Sequence, residues 1–147
     1  MFRTERSKYL MEQGIPLNTD STLKGQTIFL AERCAELIQT DIITDRTVLD
    51  VMAFTLNAKS IPHQDKEAFE TYASEFVREY DYIFYISPYG IDIEDNGVRE
   101  TDEHYRDLID FTITTLIKRH GHKAGKIEKI SGSTEERIQQ ILNITGL

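Results

Sequence analysis

The chain has 147 residues and a mass of 17.0 kDa, with 39% hydrophobic and 29% charged residues, enough for one globular domain with a real core. A formal charge of −8 and an isoelectric point of about 5.0 argue against nonspecific binding to nucleic acid or anionic membrane, since both rest on clustered Lys and Arg. The single cysteine, Cys34, excludes an intrachain disulfide and a Cys-based metal framework, and it favours a cytoplasmic protein.

Residues Met1 to Lys8 lack the apolar run of a signal peptide, and no run anywhere approaches the roughly 18 apolar residues of a membrane span. No repeat or linker divides the chain, so 1–147 reads as a single domain. Phe2 to Thr4 has the character of a strand tail whose beginning is missing. Just past it, Glu5 and Lys8 offer a carboxylate able to accept a proton from a substrate hydroxyl, or simply two charges near a helix N-terminus. Leu30, Ala31, Cys34, Ala35 and Ile38 form a helical apolar stripe that makes Cys34 a packed core thiol.

Asp41-Ile-Ile-Thr-Asp45 is a short strand closed by an acid. Asp45 can hold Mg²⁺ and Arg46 can offer a fixed fork to phosphate, or Asp45 caps a helix starting near Thr47 and Arg46 pairs with it. Phe69, Tyr72, Ala73, Phe76, Val77 and Tyr80 follow the spacing of one helix face. Tyr82-Ile-Phe-Tyr-Ile86 is a β-prone run, apolar at successive positions and so expected to be buried on both faces.

The segment 90–106 is polar and long for a connection: a solvated acidic loop, or a lid in which Arg99 and Arg106 close over transferring phosphates. Tyr105, Leu108, Ile109, Ile113, Leu116 and Ile117 predict a further helix, and Lys126 to Ile130 a weaker strand. His63, His104, His120 and His122 have no metal-ligand spacing. Ser131-Gly132-Ser133 is a tight strand-to-helix turn in which Gly132 permits close approach of a ligand or merely supplies the dihedrals. Ser133-Thr-Glu-Glu136 is a capping box opening a last helix with Ile138, Ile141 and Leu142. Strands separated by helices predict an α/β fold with a mainly parallel sheet covered on both faces, where ligands bind at the carboxyl ends of the strands.

Taken in order, five segments resemble the NadR-like AAA-type P-loop kinase family, which includes bacterial and phage members. They are Thr4-Glu5-Arg-Ser-Lys8-Tyr-Leu-Met-Glu-Gln-Gly14, Asp41-Ile-Ile-Thr-Asp45-Arg46-Thr47-Val-Leu-Asp50, Tyr80-Asp-Tyr-Ile-Phe-Tyr-Ile86, Asp95-Asn-Gly-Val-Arg99 with Arg106, and Ile130-Ser-Gly132-Ser-Thr-Glu-Glu-Arg137-Ile138. The resemblance implies a P-loop NTPase-like three-layer fold whose relatives phosphorylate nucleosides, nucleotides or similar small molecules with ATP and Mg²⁺. By that resemblance Glu5 contacts the acceptor hydroxyl, and Asp45 and Arg46 form an Asp-Arg-Ser-type motif with Thr47 in place of serine. Asp45 stands on the metal, Arg99 and Arg106 are lid arginines, and Ser131, Gly132 and Ser133 border the adenine. Lys8 stands where relatives often have arginine, and Gln26 lies on the helix that usually faces the acceptor.

One departure is decisive. Relatives begin with a strand leading into Gly-x-x-x-x-Gly-Lys-Ser/Thr, and nothing here matches it. Gly121-His-Lys-Ala-Gly125-Lys126-Ile127 has too few intervening residues and precedes a strand instead of following one. The chain resembles a family member entered about one β-loop-α unit late, with the first strand and phosphate loop missing. Activity is therefore expected to be lost or impaired without that unit. The competing expectation is a noncatalytic binding or assembly module that self-associates or binds a partner over the missing-strand region.

Overall fold

The computed structural model describes residues 2–3, 7–89 and 102–147. Its elements alternate between strand and helix: β1 (Phe2–Arg3), α1 (Ser7–Glu12), α2 (Leu23–Leu37), β2 (Ile43–Thr44), α3 (Val48–Leu56), α4 (His63–Ala73), β3 (Tyr82–Ile86), α5 (Glu103–His120), β4 (Lys126–Ile130) and α6 (Thr134–Thr145). The protein is mixed α/β. Both strand pairings are parallel, as the intervening helices require: β1 with β2, and β3 with β4 in the register Tyr82 to Lys126 through Ile86 to Ile130. Among the described residues the two pairs remain separate two-stranded sheets.

The core forms around α3, whose sequence Val-Leu-Asp-Val-Met-Ala-Phe-Thr-Leu is apolar on nearly every side. Val48, Met52 and Ala53 are wholly buried, and α2, α4 and α5 pack around them through Leu30, Phe69, Ile109 and Leu116. A helix apolar all round belongs in the middle of such a cluster. Two cross-links fix it. Gln26 Nε2 of α2 donates to Thr55 Oγ1 at 3.0 Å and to the Val51 carbonyl at 3.3 Å, and Asn57 Nδ2 donates to Thr112 Oγ1 of α5 at 2.9 Å.

Several expectations about burial are corrected. β2 is short, Ile43 is 62% exposed, and among the described residues the strand pairs only with β1. In β3 only Ile83 is fully buried, while Tyr82 and Ile86 are each 41% exposed. The stripe Leu30, Ala31, Cys34, Ala35 and Ile38 does not face inward as a unit. Ile38 is 81% exposed and Cys34 only half-buried, because α2 turns Gln26, Arg33 and Glu36 toward α3 instead. The Phe69–Tyr80 pattern is not one continuous helix: α4 ends at Ala73 and tightens into a 3₁₀ stretch, Ser74–Glu79, leaving Tyr72 exposed. On α6 the capping box is present in both directions, yet Ile138 and Leu142 remain exposed.

Candidate functional site

The carboxyl end of β2 carries two of the sequence-derived site residues, Asp45 and Arg46. Immediately after Thr44 the backbone reverses through Arg46 in the left-handed region, φ 77°. A side chain with a Cβ costs about 1–2 kcal/mol there, so the surroundings must hold it. They do so at three points. The Asp45 carbonyl accepts from Arg33 Nη1 at 2.9 Å, the Arg46 carbonyl accepts from Thr44 Oγ1 at 3.0 Å, and the Arg46 guanidinium lies 5.3 Å from the centre of the Phe54 ring. That ring is 6.4 Å from Tyr105, which sits in the first turn of α5 beside Arg106. Phe54 thus links the Arg46 turn to the first turn of α5.

The helix after this turn is capped by Thr47, not by Asp45. Thr47 Oγ1 accepts from Leu49 N at 3.1 Å, and the Asp50 carboxylate accepts from Thr47 N at 2.8 Å. Val48 N donates to the Tyr80 hydroxyl at 3.2 Å. Burial pushes the Asp50 carboxyl up, against the pull of Arg46 and the Thr47 amide. Asp45 keeps an exposed carboxylate, and Arg46 faces Phe54, so neither follows the simple cap-and-pair alternative.

Beneath this turn lies a pair the sequence reading did not single out. Arg33 and Glu36, one helical turn apart on α2, are 3% and 0% exposed, with Arg33 Nη2 2.8 Å from Glu36 Oε1. Their signal was available: two charges at i and i+3 on the side of α2 that also carries Gln26 and Leu30.

The remaining assigned residues are dispersed. Glu5 and Arg99, and with them most of the lid-like segment 90–106, lie outside the described residues. Its end is not loop: Asp102 caps α5, accepting from His104 N at 2.9 Å, and Arg106 is already helical. Lys8 is exposed on α1. Gln26 is 3% exposed with its amide nitrogen engaged by α3, which ties it to helix packing. Ser131, Gly132 and Ser133 follow β4, and their hydrogen bonds run to α6. Ser131 N donates to Gln140 Oε1 at 3.2 Å, and Ser133 N to Glu136 Oε1 at 3.4 Å. Gly132 is at φ 97°, a conformation that requires glycine whether or not a ligand approaches.

Mg²⁺ characteristically takes one or two carboxylates and completes its shell with water and substrate phosphates, which Asp45 suits. No group of three or more His, Cys, Asp or Glu able to hold a metal alone exists among the described residues. A triphosphate needs a run of free backbone amides at a helix N-terminus. At α3 the amides of Thr47, Val48 and Leu49 are already bonded to Asp50, Tyr80 and Thr47. The start of α3 therefore stands beside an arginine and a carboxylate but offers no run of free amides to a phosphate.

Two hollows sit at the other end of α3. One of about 210 Å³ is bounded by Leu56, Asn57 and Phe111, and one of about 650 Å³ by His63, Lys66, Glu67 and Glu70; Arg119 borders both. In the second, Glu70 accepts from Arg119 Nη1 at 2.6 and 2.8 Å and lies 2.8 Å from His120 Nε2. This grouping ties α4 to α5 and bears on stability. Burial pushes the Glu70 carboxyl up, but hydrogen bonds from Arg119 and His120 outweigh it and hold the group below the ordinary glutamate value of 4.5. A carboxylate lowered on folding stabilises the protein above its unfolded pKa, and that contribution fades as pH falls through the folded value. Urea unfolding at pH 7 and pH 3 is expected to show Glu70→Gln less stable than the unsubstituted chain at pH 7, with the gap narrowing at pH 3. A gap independent of pH would contradict the ion-paired assignment.

No helix among the described residues is long and apolar enough to cross a membrane. No family model, no curated protein and no solved structure matches the chain.

Proposed function

We propose that this chain is an ATP-dependent kinase-like P-loop protein that acts on a nucleoside, nucleotide or similar small acceptor and lacks the Walker A segment. On this reading residues 1–147 alone are inactive or impaired. The observation that carries it is Arg46: an arginine held left-handed at the end of a parallel strand, next to an exposed aspartate, with its guanidinium over the Phe54 ring. Strain of this kind at a strand end accompanies ligand sites, where it aims a side chain. Arg46 and Arg106 would neutralise anionic oxygens, Asp45 would take the metal, and Glu5, Lys8 and Arg99 keep the acceptor-side and lid roles the resemblance implies. ATP with Mg²⁺ would supply the transferable phosphoryl group; the doubly covered parallel sheet belongs to the same proposal.

The test is to extend the protein with the residues encoded upstream of Met1 and assay phosphate transfer across nucleosides and nucleotides. A Gly-x-x-x-x-Gly-Lys-Ser/Thr sequence there and ATP turnover by the extended protein are expected. Absence of turnover with every acceptor would sink the reading.

A second reading, a noncatalytic binding or assembly module, is favoured by the occupied amides at the start of α3 and by an edge of β3 that is unpaired among the described residues. Calorimetry on residues 1–147 separates the two at the level of the isolated chain. Measurable Mg-ATP affinity in a monomer counts against the module.

A further inference from the structure

Two locally unfavourable features meet at the end of β2. One is Arg46 in the left-handed region, φ 77°. The other is the pair Arg33 and Glu36, 3% and 0% exposed, since two charges taken out of water are commonly no more stabilising than apolar side chains of similar volume. A single hydrogen bond joins the two features, from Arg33 Nη1 to the Asp45 carbonyl at 2.9 Å. We infer that Arg33, held by Glu36, is a positioning residue for Arg46: it fixes the main chain of the turn, and so sets where the guanidinium that meets an anion stands. What Arg46 does rests on the kinase reading; which residue aims it is new.

The division of the Arg33 guanidinium between two acceptors carries the inference. Nη2 lies 2.8 Å from Glu36 Oε1, one helical turn along α2, while Nη1 reaches across to the turn. A planar fork with one arm fixed has little freedom in the other, so the Asp45 carbonyl is held at a set place relative to α2. The rotation of α2 is fixed in turn by Gln26, two turns earlier, which donates to Thr55 Oγ1 and to the Val51 carbonyl of α3. From a third direction in the chain the Tyr80 hydroxyl, just before β3, accepts from Val48 N at 3.2 Å. The turn 45–48 is thus gripped at both ends, and each grip acts on a main-chain atom. Neither uses the side chains of Asp45 and Arg46, one exposed and the other over the Phe54 ring. The third support, from Thr44 Oγ1 to the Arg46 carbonyl, is a bond between neutral groups and weaker than one from a charged donor. If Arg33 only filled the inward side of α2, an apolar residue would do so with no buried charge and no need of Glu36.

Proton NMR on the 147-residue chain tests the positioning. A left-handed residue holds its amide proton close to its own Hα, and a guanidinium over a ring has its Nε–H resonance displaced upfield. Arg46 is expected to show both signatures, with Phe54→Leu giving the resonance without the ring. Arg33→Met combined with Glu36→Leu is expected to fold with an unchanged circular-dichroism spectrum yet lose both. Arg33→Lys, which keeps a cation beside Glu36 but replaces the two-armed fork with a point charge, is expected to lose them as well. In the extended protein the double variant is expected to lower kcat on the order of 10²-fold, the cost of a misplaced group, with KM for ATP nearly unchanged. A folded variant of either kind in which Arg46 keeps both signatures, or an extended double variant with its kcat intact, would overturn the proposal. Failure of both variants to fold would assign the pair to the fold alone and overturn it too. An unsubstituted extended protein without phosphate transfer sinks the kinase reading instead, while the Arg46 signatures in the 147-residue chain still decide whether Arg33 sets the turn.

Discussion

Glu36→Ala is expected to destabilise the protein by about 3–5 kcal/mol, the range for removing one partner of a buried ion pair. Both residues of the pair are almost fully buried, so the substitution leaves the Arg33 guanidinium in the interior with the Asp45 carbonyl as its remaining described hydrogen-bond acceptor. The consequence extends beyond α2, because that same bond holds the turn carrying Arg46. Urea unfolding should show a lower midpoint for Glu36→Ala, whereas Arg33→Met combined with Glu36→Leu, which removes both charges and keeps the volume, should recover much of the loss. A single substitution costing less than about 1 kcal/mol would mean that water reaches the pair and screens it.

That pair also explains where sequence reasoning stopped. β3, β4, α5 and the start of α6 were legible because each rests on a local pattern: a β-branched and aromatic run, a 3.6-residue apolar period, or a serine and a glutamate at reciprocal capping positions. The inward face of α2 was not. Its apolar residues Ala31, Ala35 and Ile38 make the clearer stripe, but Gln26 and Arg33 find partners on α3 and before it, and those long-range bonds set the rotation of the helix. The site followed the same division. Asp45 and Arg46 were found because a strand end is where to look. The cap had a local signal in Thr47 and Asp50, but that Phe54 carries the guanidinium depends on side chains meeting across a turn whose sign of φ no local pattern announces.

Arg46→Gly separates the two reasons an arginine can occupy this turn. Glycine adopts a φ of 77° freely, so the substitution relieves about 1–2 kcal/mol of backbone strain. Against this it loses the stacking of the guanidinium on Phe54, worth about 0.5–1 kcal/mol at a partly exposed site, and gains backbone freedom in the unfolded chain. The sum should lie within about 1 kcal/mol of zero. If Arg46 is present to meet an anion, the extended protein carrying Arg46→Gly should unfold almost as the unsubstituted form does while losing on the order of 10³-fold in phosphate transfer, the lower range for a charge-neutralising arginine in such reactions. Arg46→Lys should recover little, because an ammonium cannot reproduce a planar fork stacked on a ring. Stability lowered by more than about 3 kcal/mol with turnover unchanged would assign Arg46 to the fold and remove it from the site.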